Sequence, residues 1–217
     1  MSGPQPHRVA LVTGGAGGIG RQVCSLLAAD NRRVVVADLD AVAAKQTASD
    51  IDGATAVAMD VTDPMSVATA LDAAGPVDIV VNCVGTDRLM AFVDTDDEFT
   101  ARMLEVNLAG PMRVVRLALP AMVERGWGRI VNLSSDAGRV GSSLSTPYSA
   151  AKGGLIAFTK AVAREAVRHG VTANTVCPGP TDTALIERIT GETDDAAKVM
   201  AAMVRSVPMK RLADPAE

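Results

Sequence analysis

The sequence predicts an α/β fold, a doubly wound and mainly parallel sheet built as a single domain over residues 1–217. Short β-branched or apolar runs recur at residues 8–13, 33–37, 54–59, 77–81, 129–133 and 171–177. Longer helical patterns separate them, and a glycine-rich stretch joins the first run to the first helix. Alternation at this spacing is the pattern of βαβ units whose sheet is covered by helices on both faces.

The first run passes directly into Gly14-Gly15-Ala16-Gly17-Gly18-Ile19-Gly20, and a helical pattern follows through Val23, Leu26, Leu27 and Ala28. Strand, glycine turn and helix in that order are what a dinucleotide-binding Rossmann unit requires. Glycines let the backbone approach a pyrophosphate, and the helix N-terminus offers unpaired N–H groups and the positive end of its dipole. The second run ends at Asp38, with Asp40 just beyond. An acid about twenty residues past the glycines is placed to accept from the adenosine ribose hydroxyls and would repel a 2′-phosphate. No Lys or Arg lies within the turn, so NAD rather than NADP is expected. The competing reading makes Asp38 the start of a solvated loop, or a cap for the helix over residues 41–50.

The third run ends at Asp60-Val61, and a helix over residues 64–73 is entered through Asp63. The fourth delivers Asn82-Cys83-Val84-Gly85 to the carboxyl edge of the sheet, where functional side chains of such folds gather. Residues 94–122 read as one helix with Asn107 in its middle and Pro120 near its end. Asn is a poor interior helix residue, so a buried Asn107 needs partners or a role. The fifth run brings Ser134 and Ser135 to the same edge. A helix over residues 147–169 then carries Tyr148-Ser149-Ala150-Ala151-Lys152.

Residues four apart share a helix face about 6 Å apart along the axis. A free tyrosine titrates at about 10, too high for an efficient base near neutrality, and a fixed cation lowers that value. Lys152 is placed to supply the charge. Taken alone, a Tyr-x-x-x-Lys pair is more often an interfacial Tyr and a solvated Lys. The sixth run reads as a nearly continuous apolar strand suited to neighbours on both sides, and it ends at Pro178-Gly179-Pro180-Thr181-Asp182-Thr183.

Composition narrows the partners. With 48% hydrophobic residues the chain can bury a substantial core, and a net charge of −4 with scattered Lys and Arg leaves no basic stripe for nucleic acid. The N-terminus is polar, and the apolar run after it is too short for a signal-peptide core or a membrane span, which points to the cytoplasm. Cys24, Cys83 and Cys177 stand singly, as core thiols do, and His7 and His169 are too separated to suggest a metal.

Thr13-Gly14-x-x-x-Gly18-x-Gly20, Asp60, Asn82-x-x-Gly85, Asn107, Ser135, Tyr148-x-x-x-Lys152 and Pro178-Gly179 stand in one order across almost the whole chain. Together they resemble the short-chain dehydrogenase/reductase family. The wording of residues 134–143 and 177–185 looks most like 2-hydroxycyclohexanecarboxyl-CoA dehydrogenases, with 3-oxoacyl-carrier-protein reductases close behind. The resemblance implies strand order 3-2-1-4-5-6 and reversible, NAD-dependent interconversion of a secondary alcohol and a ketone on a small molecule, such as a hydroxyacyl-CoA. The alternatives are an NADPH-dependent 3-oxoacyl-carrier-protein reductase or a non-catalytic dinucleotide sensor. Loss of Tyr148 or Lys152 would favour the sensor, and both are present.

In the resemblance Tyr148 is the acid/base, Ser135 bonds the same substrate oxygen, Lys152 holds the nicotinamide ribose and lowers the Tyr148 pKa, and Asn107 anchors a relay water. Cofactor contacts fall on Gly14, Gly18, Ile19, Gly20, Asp38, Asp60, Val61, Asn82, Gly85, Pro178, Gly179, Thr181 and Thr183, besides Tyr148 and Lys152. Residues 182–207 resemble a substrate lid. Specificity is expected in residues 86–90, 136–143 and the lid, with Arg88 or Arg139 meeting the phosphates of a CoA thioester.

Two departures stand out. Cys83-Val84 replaces the usual Asn-Ala, and members normally continue past Pro215 with another helix and a seventh strand. The final helix and strand are therefore expected to be missing, leaving residues 171–177 an open edge. A homo-oligomer, tetramer or dimer, is expected where that end is complete.

Overall fold

Hydrophobic runs and glycine turn assemble as six parallel strands in the order β3-β2-β1-β4-β5-β6, in a computed structural model that describes residues 8–193 and 195–217. His7 and the rest of the polar N-terminal segment up to it, and residue 194 of the expected lid, lie outside the described residues. The strands are β1 (Val9–Thr13), β2 (Arg33–Asp38), β3 (Thr55–Ala58), β4 (Ile79–Asn82), β5 (Gly128–Leu133) and β6 (Val171–Val176). The helices are α1 (Gly18–Ala29), α2 (Ala41–Ser49), α3 (Pro64–Ala74), α4 (Asp97–Leu104), α5 (Gly110–Glu124), α6 (Ala137–Val140), α7 (Thr146–Ala166), α8 (Ala184–Gly191) and α9 (Ala196–Ser206). This is the doubly wound order the sequence predicts.

Successive strand residues face opposite sides of the sheet, and β1 shows what that does. Val9 and Leu11 join a core with Val67 of α3, Val114 and Met122 of α5 and Val162 of α7. Ala10 and Val12 join a second core with Cys24 of α1 and Ala44 of α2. Each fully buried Val or Leu contributes roughly 1.5–3 kcal/mol, so the middle of the sheet is held from both faces and its carboxyl edge is a firm platform.

Helix starts follow local chemistry. Asp40 accepts the N–H groups of Val42 (2.9 Å) and Ala43 (3.0 Å) to cap α2. Asp63 accepts from Met65 (2.9 Å) ahead of Pro64, which fits the first helical turn of α3.

The structure corrects two expectations. Residues 94–122 are not one helix. A 3-10 turn at Phe92–Asp94 precedes α4, and a π-helical segment at Glu105–Ala109 separates α4 from α5, with the Gly110 N–H reaching back to the Glu105 carbonyl. The widened turn holds Asn107, whose side chain bonds both the Met103 carbonyl of α4 and, outside the helix, Thr86. Strand β6 is not continuously apolar inside: Val171 and Ala173 are buried, whereas Thr172, Asn174 and Val176 are exposed. It pairs with β5 along its whole length. Among the described residues, no helix is long and apolar enough to cross a membrane, and no group of His, Cys, Asp and Glu could hold a metal.

Candidate active site

The glycine turn closes on itself. Gly14 lies at φ +62°, and a Cβ there would come within 2.9 Å of the Val84 nitrogen. A Cβ at Gly20 would stand 2.1 Å from the Gly14 carbonyl oxygen, so α1 packs directly onto the turn. Gly17 opens α1 with no side-chain cap, and no acid lies in the first turn. A bare helix N-terminus above glycines is suited to an anion such as a pyrophosphate. Asp38 braces the turn by accepting the Ala16 N–H at 3.0 Å through Oδ2, while Oδ1 accepts the Asp40 N–H at 3.1 Å. The α2 cap falls to Asp40, not Asp38. These features fit a dinucleotide.

Asp60 accepts from the Thr62 hydroxyl (2.7 Å) and N–H (2.8 Å), which hold its carboxyl below the usual range. Val61 is buried against Gly110, where a Cβ would come within 2.7 Å of its Cγ2, and its carbonyl accepts from Arg113. Asn82 is 1% exposed and belongs to a buried polar chain. The Thr13 hydroxyl donates to Asn82 (3.1 Å), Asn82 to Asn132 (2.8 Å), Asn132 to Thr159 (2.8 Å), and Thr159 to the Leu155 carbonyl (2.7 Å). The polar chain through Asn82 thus ties β1, β4, β5 and α7 together.

At the carboxyl ends of β4 and β5, one cavity of about 580 Å³ is walled by Ile19, Gly85, Ser135, Tyr148, Lys152, Pro178, Gly179, Thr181 and Thr183 together. Gly14, Gly18, Gly20, Asp38, Asp60, Val61, Asn82 and Asn107 lie outside its wall. Backbone bonds set the frame: Ser134 N–H to the Val176 carbonyl (2.8 Å) and Asp136 N–H to that of Pro178 (2.9 Å) hold the Ser135 loop beside the Pro178-Gly179 turn. Thr183 lies over the start of α1, so close that a Cβ at Gly18 would meet its Cγ2 at 2.7 Å.

Lys152 is buried, and its Nζ donates to the carbonyls of Leu133 (3.0 Å) and Val84 (3.4 Å). Its backbone carbonyl accepts from the Ser134 hydroxyl at 2.7 Å. Burial pushes the ammonium down to about 8. Its Nζ sits 5.7 Å from the Tyr148 ring centroid. Tyr148 does not show the lowering expected from that neighbour. Burial pushes its phenol up to about 12, a Ser135 hydrogen bond opposes the rise, and the Asp87 charge adds to it. The ammonium is turned onto carbonyls of β5 and of the loop after β4, and desolvation of the phenol dominates.

Asn107 is wholly buried and fully engaged. Its Nδ2 donates to the carbonyls of Thr86 (2.8 Å) and Met103 (3.0 Å), and its Oδ1 accepts the Thr86 N–H at 3.1 Å. It fixes the loop after β4 behind the cavity. A Cβ at Gly85 would stand 3.2 Å from Asn107 Oδ1 and 3.3 Å from Lys152 Nζ, so Gly85 separates the two.

Over the mouth, α8 is tied down by Arg188 donating to the Thr86 hydroxyl at 2.9 Å. Arg88 faces Glu192 at 3.9 Å and Arg139 faces Asp136 at 3.6 Å, both with largely exposed side chains. Sequence reasoning placed Ser134 at the edge without its bond to Lys152, and missed Asn132, Thr159, Ser145 and the role of Asp87. The signals were an Asn inside an apolar strand run and an acid two residues past Gly85 in the loop expected to carry specificity.

Comparison with known proteins agrees with this geometry. The family profile described as short chain dehydrogenase matches residues 8–194. The chain is 37% identical to an acetoacetyl-CoA reductase of Allochromatium vinosum, over 97% of this chain and 87% of that protein. It is 35% identical to a 2-dehydro-3-deoxy-L-rhamnonate dehydrogenase (NAD(+)) of a Sphingomonas species, over 98% and 85%. The crystal structure of gox2181 superposes with a TM-score of 0.89 at 30% identity, covering 98% of this chain and 85% of that one.

Proposed function

The chain belongs to the short-chain dehydrogenase family, and from that premise we propose that Tyr148, Ser135, Lys152 and Asn107 are its working residues. It is an NAD(P)-dependent oxidoreductase acting on a CH–OH group or the corresponding ketone. The reading of the residues rests on one observation, the meeting of Tyr148, Ser135 and Lys152 in one cavity at the carboxyl edge of the sheet.

A nicotinamide dinucleotide, when bound, supplies the hydride donor or acceptor. The chain supplies orientation and protons. Backbone N–H groups at the start of α1 would hold the pyrophosphate, Asp38 the adenosine ribose, and Asp60 and Val61 the adenine. Gly85 and residues 178–183, Thr181 and Thr183 among them, would border the nicotinamide end. Tyr148 gives its proton to the substrate oxygen in reduction and takes it back in oxidation. Ser135 hydrogen-bonds the same oxygen and steadies its developing charge. Lys152 would hold the nicotinamide ribose, and Asn107 keeps the loop after β4 in place, where a water would refill the proton.

Two features support NAD over NADP. Asp38 presents a carboxylate beside the glycine turn, and that turn carries no Lys or Arg. A 2′-phosphate would meet repulsion with no compensating cation. For the substrate, a hydroxyacyl-CoA such as 2-hydroxycyclohexanecarboxyl-CoA is the reading supported by the likeness to an acetoacetyl-CoA reductase and by the exposed Arg88 and Arg139, which would exchange Glu192 and Asp136 for phosphates. Residues 182–207 serve as its lid. NADH formation from a panel of hydroxyacyl-CoA thioesters, sugar acids and simple secondary alcohols tests both parts. Turnover confined to sugar acids would overturn the thioester assignment, and none on any member would overturn the catalytic one.

A further inference from the structure

Among the described residues, Asp87 is the one buried acid in the cavity wall that the proposed chemistry does not use. It is 8% exposed, two residues past Gly85, and shares the wall with Ser135 and Tyr148. Its Oδ2 accepts the Ser145 hydroxyl at 2.7 Å, and its Oδ1 accepts the Arg88 N–H at 2.8 Å. Ser145 is the N-cap residue of α7, three positions before Tyr148. Such a serine ordinarily turns its hydroxyl onto the first N–H groups of its own helix. Ser145 makes no such bond; it reaches across 58 residues of sequence to Asp87 instead. The Met90 N–H, bonded to the Leu144 carbonyl at 2.8 Å, ties the same two loops a second time.

We propose that Asp87 is a positioning residue of the reaction centre, clamping the start of α7 to the loop after β4 through Ser145 and holding a negative charge beside the Tyr148 phenol. A buried carboxylate without its own cation is costly. The Ser145 hydroxyl and the Arg88 N–H offset part of that cost, as does the positive end of the α7 dipole. The groups facing Tyr148 are then Asp87 from the loop after β4, Ser135 from the loop after β5, and Lys152 from α7 itself. Asp87 works against the phenolate from the first of these, and keeps Tyr148 a proton donor. Burial raises the Asp87 carboxyl, a penalty on its charge that the Ser145 and Arg88 hydrogen bonds oppose.

The inference rests on Tyr148 as the acid/base, and its test reads the Tyr148 proton without turnover, so the two can fail separately. Tyr148 is the only tyrosine in the chain. Its near-ultraviolet tyrosinate absorbance therefore reports this one group, read at alkaline pH values where circular dichroism still shows the native fold. Asp87→Asn keeps an acceptor for Ser145 and removes the charge, so its tyrosinate fraction at a given pH should rise about threefold or more, the effect of one nearby charge in a partly hydrated site. Ser145→Ala keeps the charge and loosens the clamp, so it should show a smaller rise together with a lower Tm. An unchanged tyrosinate fraction in Asp87→Asn overturns the proposal. Equal rises in the two variants also overturn it, because hydration of a loosened site would then account for both. Should Asp87→Asn not fold, Asp87→Ser, another neutral acceptor, carries the same outcomes.

Discussion

The Asp38 carboxylate accepts the backbone N–H of Ala16 at 3.0 Å, so the acid that ends β2 also fixes the shape of the glycine turn. Its two effects separate by substitution. Asp38→Asn keeps an acceptor for Ala16 and removes the charge, and should narrow the preference for NAD over NADP by about tenfold. Asp38→Ala removes the brace as well, and should weaken both cofactors. Michaelis constants for the two cofactors in parent and variants decide it; an unchanged ratio in Asp38→Asn would return Asp38 to a purely structural role.

Gly20→Ala tests the turn from the other side. The added Cβ would stand 2.1 Å from a backbone oxygen of Gly14, which no side-chain adjustment relieves. Dinucleotide binding measured by calorimetry should be lost, with a lower Tm. Binding at parental affinity would show that α1 can shift without harm to the site.

What the sequence made legible was local. The strands and their parallel pattern follow from apolar runs, their order from the family resemblance, and the glycine turn from chemistry confined to residues 14–20. What it hid depended on distant partners. The break at residues 105–109 reflects Asn107 bonding Thr86, 21 positions away. The burial of Asp87 follows from Ser145, 58 positions away. Lys152 lies one turn from Tyr148 as spacing predicts, yet its ammonium turns to carbonyls 19 and 68 positions away, and so does not lower the phenol. Strand β6 differs in kind: Thr172 and Asn174 already announced an alternating strand with one polar face.

The polar chain through Asn82 and Asn132 should carry stability rather than chemistry. Asn132→Ala leaves the Asn82 amide without its acceptor and Thr159 without its donor, both in a buried setting. A loss of about 1–3 kcal/mol is expected, or a fall in Tm of roughly 2–10 °C for a domain of this size. Thermal denaturation checks this, and an unchanged Tm would mean that the chain can be re-paired, for instance by water.

Lys152 should show the opposite trade. Burial holds its folded pKa at about 8, below the ordinary lysine value of 10.5. The unfolded chain therefore holds the proton more firmly, and the charged amine costs stability that is full below pH 8. That cost is relieved as pH rises from 8 to 10.5. Lys152→Met should raise the Tm near neutrality by roughly 2–4 °C while lowering turnover. It should also lose the parent's gain in stability across that pH window. A lower Tm at pH 7 would show that the bonds to Leu133 and Val84 outweigh the burial of the charge.

The acid/base assignment of Tyr148 is tested most directly by turnover of Tyr148→Phe on whichever panel substrate the parent oxidises, with NAD affinity measured alongside. The phenol oxygen is lost and the ring that lines the cavity is kept. The account predicts a fall in kcat of about 10²- to 10⁴-fold with NAD binding close to parental. Turnover within a few-fold of the parent, in a variant that still binds NAD, would contradict it.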